Sequence, residues 1–183
     1  MSPFIFLIDT LFSIYTMVVI MRFLLQLVKA DFYNPISQFV VAATNPLLKP
    51  MRKIIPGFGG IDNASIVLAT LLTLIKVLII AAMTGYTFTL GQLTINVLYM
   101  VFDQTIQLLV VLLIVLAVLS WIGQSNNPIL SVVHQITEPL IRPIRRLMPP
   151  IGGLDLSPMF LIISLIFFKL VVQELVNVLL ASL

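Results

Sequence analysis

Two lysines stand where charge is costly. Lys76 and Lys169 each fall about fourteen residues into an apolar run, roughly 21 Å along a helix and past the midplane. A charge at the bilayer centre costs a contested ~2.5–3.5 kcal/mol on insertion scales. Each ammonium must therefore face protein or water, or snorkel outward. Depth selects the partners. Asp9 and Asp103 enter their own apolar runs from the same side, at matching depth. The expected pairs are Asp9 with Lys76 and Asp103 with Lys169, and pairing crossed between the two halves fits depth equally well. Glu174 is a second acid near Lys169, and Gln104 and Gln107 add polar groups near Asp103. Such a set could line an ion or proton pathway, or simply hold helices together. A lipid-facing Lys76 would exclude both.

Six of the other charged groups form two basic sets, Lys49, Arg52, Lys53 and Arg142, Arg145, Arg146. They suit anionic lipid headgroups or an acidic partner, each contributing on the order of 1 kcal/mol near an anionic leaflet. They also suit plain topology determination and interface anchoring. Catalytic chemistry has little to draw on. There is no Cys and one His, His134, so thiolate chemistry and a His-pair metal site are excluded. His134 has Val41 as its counterpart in the first half and is read as incidental. No enzyme activity and no cofactor are expected. Gly59-Gly60-Ile61-Asp62 and Gly152-Gly153-Leu154-Asp155 lack the lysine and preceding strand of a phosphate loop. They read as tight turns in which Asp62 and Asp155 cap the next helix.

The elements carrying these residues follow from composition. Hydrophobic residues make up 60% of the 183, charged residues 9%, and mean hydropathy is +1.17. Soluble domains average about 25% charged, so the chain reads as an all-α polytopic membrane protein. Four runs are long enough for the ~20 residues a crossing needs: Phe4 to Val28, Ile61 to Met83, Ile95 to Ile122 and Leu156 to Leu180. The first lacks the basic start of a signal peptide and is expected to be retained. Both basic sets lie between paired runs, which places the two long loops on one, cytoplasmic, face and both termini outward. Tyr33 and Trp121 fit the cytoplasmic interface, and Tyr86, Phe88 and Tyr99 the outer one. Arg22 is expected to reach the cytoplasmic interface.

The chain repeats itself at an offset of 93 residues without a gap, as Lys76 and Lys169 illustrate. Thr44-Asn45-Pro46-Leu47-Leu48-Lys49-Pro50-Met51-Arg52-Lys53 matches Thr137-Glu138-Pro139-Leu140-Ile141-Arg142-Pro143-Ile144-Arg145-Arg146, and Pro56 matches Pro149. Residues 1–90 and 91–183 thus form two units of two spans and a basic loop. Two crossings per unit make the repeat parallel. Each loop keeps helical periodicity, with an apolar stripe opposite the basic residues, as in an interfacial helix. Asn34 and Asn127 are N-caps. Pro46 and Pro139 are expected to start a second short helix, with a bend at Pro50 and Pro143. A re-entrant dip would need protein or water to satisfy the broken backbone bonds.

The pattern T-x-P-L-[LI]-[KR]-P-[MI]-R-[KR]-[IL]-[IM]-P followed by G-G-[IL]-D resembles the YggT family, also called YlmG, over almost the whole chain. Pro158 departs from the repeat, with Ser65 as its counterpart. The resemblance implies a multi-pass protein of the bacterial inner membrane. Family members have been linked to cell division, nucleoid distribution, plastid cytochrome assembly and osmotic-stress tolerance, with no agreed molecular activity. Two function classes follow. One is a non-enzymatic membrane organiser or assembly factor that engages lipid headgroups, or a membrane or cytoplasmic protein partner, through its basic loops. The other is a small channel or transporter, which needs a homo-oligomer because four helices enclose little pore. No nucleic-acid motif is present.

Overall fold

The computed structural model describes residues 2–122, 127–147 and 155–182, without the side chains of 120–122. The described residues form six helices: α1 (Pro3–Leu27), α2 (Pro35–Ile54), α3 (Asn63–Thr84), α4 (Leu90–Ile122), α5 (Pro128–Leu147) and α6 (Ser157–Ala181). α1, α3, α4 and α6 are long and apolar enough to cross a membrane. α1 to α3 and α4 to α6 form two helix triplets: α1 packs mainly on α3, and α4 on α6, while contacts of α1 and α3 with α4, and of α1 and α2 with α5, join the triplets. The termini of these helices stand close to the runs read from sequence, with one exception. α4 begins at Leu90 rather than Ile95 because Thr89 and Gln92 form a capping box. Gln92 N–H donates to Thr89 Oγ1 and Thr89 N–H to Gln92 Oε1, both at 3.2 Å. At 33 residues α4 is about 50 Å long, well beyond a ~30 Å hydrocarbon core.

The loops differ from the expectation of two short helices each. α2 and α5 are single helices of 20 residues that run straight through Pro46 and Pro50, and through Pro139 and Pro143. Orientation explains this. A helical proline withdraws a hydrogen bond from the carbonyl four residues back and crowds it. Here all four prolines are exposed, on the side away from Ser37, Val40, Thr44 and Leu48, or from Val133, Ile136, Thr137 and Ile141, which are buried. The carbonyls that lose a partner, such as those of Ala42 and Pro46, lie on that outer side too. They can turn outward, which bends the helix around the bundle without ending it. Thr44 Oγ1 donates to Val40 O at 2.7 Å, and Tyr15 OH, from α1, to Ala43 O at 3.2 Å.

The apolar core sits at the end where these loop helices cover the bundle. It joins Val19 and Leu25 of α1, Leu48 of α2, Ala64 of α3, Leu113 of α4 and Ile141 of α5. Asn34 occupies a joint in this region. Its Oδ1 accepts from Ile36 N–H at 2.9 Å, capping α2, while its Nδ2 donates to Pro128 O at 2.8 Å, across the triplets. Asp31 N–H also crosses, to Gln135 Oε1 at 2.8 Å. Asn127 caps α5 through Ile129 N–H at 2.9 Å. Among the described residues its amide makes no bond back to the first triplet. Asn34→Ala is therefore expected to cost about 2 kcal/mol, losing a cap and a part-buried hydrogen bond to the Pro128 carbonyl, against about 1 kcal/mol for Asn127→Ala. Parallel thermal melts of the two variants in one detergent measure the difference.

The approach to α3 is a tight turn, as expected. Gly59 (φ 61°) and Gly60 (φ 84°) are both left-handed, and Ile61 N–H donates to Phe58 O at 3.0 Å. Glycine takes both angles at no steric cost. The second copy, Gly152-Gly153 with Pro149, lies outside the described residues, as does the side chain of Trp121.

Candidate functional site

Four of the six charged residues within the spans meet in one place. Lys76 Nζ lies 3.0 Å from Asp9 Oδ1 and donates to Ser13 Oγ at 3.0 Å. Lys169 Nζ lies 2.7 Å from Asp103 Oδ1. Both pairs form within a triplet rather than across. Both then line a single cavity of about 430 Å³ between the triplets, away from the end covered by α2 and α5. The volume falls within the ~300–1,000 Å³ typical of small-molecule sites. Lys76 is 4% exposed, so it faces protein and cavity rather than lipid.

Polar groups from neighbouring helical turns complete the lining. Gln107 Nε2 donates to Asp103 Oδ2 at 2.6 Å, which leaves Asp103 Oδ1 facing Lys169. Gln107 and Lys169 thus each hold one of the two Asp103 oxygens. Gln104 is 7% exposed, lines the cavity, and its Oε1 has no donor. Gln173 of α6 is a further lining residue that sequence reading overlooked. Its spacing of four from Lys169 puts it one turn along the same face. Glu174 points elsewhere: it is exposed and outside the cavity.

The basic sets divide into two kinds. Arg52 turns inward. Its Nη2 bonds Asp62 Oδ2, its Nε donates to Asp62 Oδ1 at 3.3 Å, and Nη2 also reaches Gln26 Oε1 at 3.2 Å. Arg145 repeats this with Asp155 Oδ2, 2.9 Å from Nε, and adds Glu138 at 3.1 Å. Each arginine thus ties the end of a loop helix to the start of the next span. The shared separation of ten residues, Arg52 to Asp62 and Arg145 to Asp155, is a signal present in the sequence and missed. Lys49, Lys53, Arg142 and Arg146 are exposed and make no ion pair among the described residues. Exposed Phe39, Ile54 and Leu147 accompany them on α2 and α5.

The two aspartates meet the starts of their helices differently. Asp62 stands at the N-cap position of α3 but makes no bond to a backbone N–H there. Arg52 and the Ser65 hydroxyl, 2.5 Å from Oδ2, take its oxygens instead. Asp155 lies one residue before the N-cap Leu156 and accepts from Ser157 N–H at 2.9 Å. Burial pushes the Asp62 carboxyl up, but the hydrogen bonds from Arg52 and Ser65 and the Arg52 charge outweigh it and hold it below the ordinary carboxylate range. Burial likewise pushes Asp155 up, and Ser157 and Arg145 bring it below. Arg22 is buried. It is 7% exposed, stacked 5.3 Å from the Phe32 ring centroid, with Nε and Nη1 unpartnered. His134 is half-exposed and faces Glu138 Oε2 at 3.5 Å.

Comparison with known proteins gives relatives of the same length class. A family model described as CCB3/YggT matches residues 1–83 and 95–176. An uncharacterized protein encoded in the proC 3′ region of Vibrio alginolyticus is 45% identical over 97% of this chain and 97% of its own length. An uncharacterized protein of Pseudomonas aeruginosa is 47% identical over 88% of this chain and 83% of its own. The uncharacterized protein YggT of Escherichia coli K12 is 39% identical over 95% and 91%. No solved structure matches the chain.

Proposed function

The chain belongs to the CCB3/YggT family, and from that premise we propose that it is a non-enzymatic membrane organiser that engages anionic headgroups through α2 and α5. One observation carries the reading. Arg52 and Arg145 are consumed in internal ion pairs, whereas Lys49, Lys53, Arg142 and Arg146 are exposed and unpaired beside exposed apolar side chains. Topology alone needs charge, but not an apolar flank next to it. A basic row beside an apolar flank suits a helix seated at a charged lipid surface. The positive-inside bias makes that surface the cytoplasmic face of the inner membrane, with both termini on the other side. Proteins at this face could be held through the same rows.

The test is lipid retention. The full chain, purified from mixed phosphatidylglycerol and phosphatidylethanolamine, is expected to keep phosphatidylglycerol selectively. Each single exchange, Lys49→Gln, Lys53→Gln, Arg142→Gln or Arg146→Gln, is expected to weaken that retention up to about fivefold, from ~1 kcal/mol per basic group. Native mass spectrometry reads the bound lipid. Unchanged retention in all four would overturn the reading.

A second reading, passage of a small solute, is favoured by the cavity that both intramembrane ion pairs share. It requires a homo-oligomer or a wider opening of the four helices. Solute uptake into liposomes, lost in Lys76→Gln and Lys169→Gln, tests it.

A further inference from the structure

We infer that the intramembrane cavity binds a small zwitterion that carries an N–H, of the free amino acid class. The inference rests on the solute reading above and names the solute's chemistry.

The first step is charge. The cavity holds two ammonium groups, Lys76 and Lys169, and two carboxylates, Asp9 and Asp103. Its formal charge is zero, so a lone cation or anion would bring an uncompensated charge into a low-dielectric region. A zwitterion adds one charge of each sign.

The second step is the hydrogen bonds left unmade. Gln104 Oε1 is buried and lacks a donor, whereas Asp103 Oδ1 already has the Lys169 ammonium at 2.7 Å. A buried acceptor without a donor is costly. Such an acceptor in a cavity also lined by Asp9 and Asp103 defines a place for a ligand N–H, and an ammonium fits it. On the other side, Lys76 Nζ spends donors on Asp9 and Ser13, out of the three a lysine has. Lys169 is committed only to Asp103 among the described residues. The remaining donors suit a carboxylate. The cavity thus offers acceptors for an amine and donors for an acid, within 430 Å³.

The third step is discrimination. A site that presents buried acceptors rejects a ligand with nothing to donate. Glycine and L-alanine carry N–H groups, whereas glycine betaine has the same charges with three methyls on nitrogen. Glycine or L-alanine should therefore bind more tightly than betaine, by about tenfold or more, the scale of one hydrogen bond to a charged group.

The experiment is equilibrium titration of the full chain in detergent with glycine, L-alanine, glycine betaine and KCl, read by calorimetry and by shift in melting temperature. Saturable binding of glycine or L-alanine is expected, with betaine at least about tenfold weaker and no saturable response to KCl. Gln104→Leu, which keeps both ion pairs, is expected to lose about tenfold in affinity. Where that variant melts early, Gln104→Glu at neutral pH serves instead and should alter the betaine-to-glycine ratio. Absence of saturable amino acid binding, equal affinity for betaine, or undiminished binding in a folded Gln104→Leu overturns the inference. Binding without uptake into liposomes would sink the passage reading and leave the site standing. Potassium flux without amino acid binding would do the reverse.

Discussion

Asp62→Ala is expected to destabilise the protein by about 2–3 kcal/mol, the cost of losing a buried carboxylate hydrogen-bonded to a charged group, since the Arg52 left behind is 32% exposed. The Asp62 side chain is 3% exposed and carries the bonds from Arg52. Its removal leaves Arg52 with only Gln26 as a partner. Arg22, buried and close enough to feel both Arg52 and Asp62, would then face a second guanidinium with no intervening carboxylate. The counterpart substitution, Asp155→Ala, should cost no more than about 1 kcal/mol. Asp155 is 35% exposed, and Glu138 remains on Arg145. Thermal unfolding of both variants measures the contrast, and equal losses would refute it. The pH dependence follows from the same pair. A carboxyl held below its unfolded value of about 3.9 gives its full stabilisation above that value and loses it as pH falls through the lowered one. The contribution of Asp62 is therefore flat from neutrality to about pH 4 and lost only in stronger acid.

Asp9→Ala is the second large effect. It leaves Lys76, 4% exposed, with only the Ser13 hydroxyl, at an expected cost of about 3 kcal/mol. Adding Lys76→Met should restore most of the loss, because an apolar side chain of similar length then replaces an unpaired charge. The reverse order does not hold so strongly. Lys76→Met alone strands Asp9, which is 40% exposed and can be hydrated through the cavity. A double-mutant cycle measured by thermal unfolding separates the pair from its neighbours. Additive losses would show that the two residues are not coupled.

Much of this architecture is legible in the sequence, for a physical reason. The ~20-residue crossing and the cost of an intramembrane charge are strong constraints, so the spans and the depth of Lys76, Asp9, Lys169 and Asp103 can be read from one dimension. That both pairs face a single cavity cannot, because it depends on how α1 and α3 meet α4. The loop helices resisted for another reason. Proline is a breaker only where the freed carbonyl has nowhere to turn, and Pro46 and Pro139 place theirs on the open side. The basic sets resisted because charge spacing alone does not separate an arginine that reaches inward, such as Arg52, from a lysine that stays outside, such as Lys53.

The bond from Asn34 Nδ2 to Pro128 O has no reciprocal among the described residues. Pro128 is the counterpart of Pro35, so the missing partner bond would run from Asn127 to Pro35. A two-fold dimer of separate triplets would have to form this contact twice or not at all, since an isologous interface uses the same patch on both sides. One continuous chain is released from that rule. It can form the contact once, carry Arg22 where the other half has Val115, and place Glu138 where the first half has Asn45. Covalent linkage therefore turns two interchangeable halves into two that can diverge in duty while keeping a common scaffold.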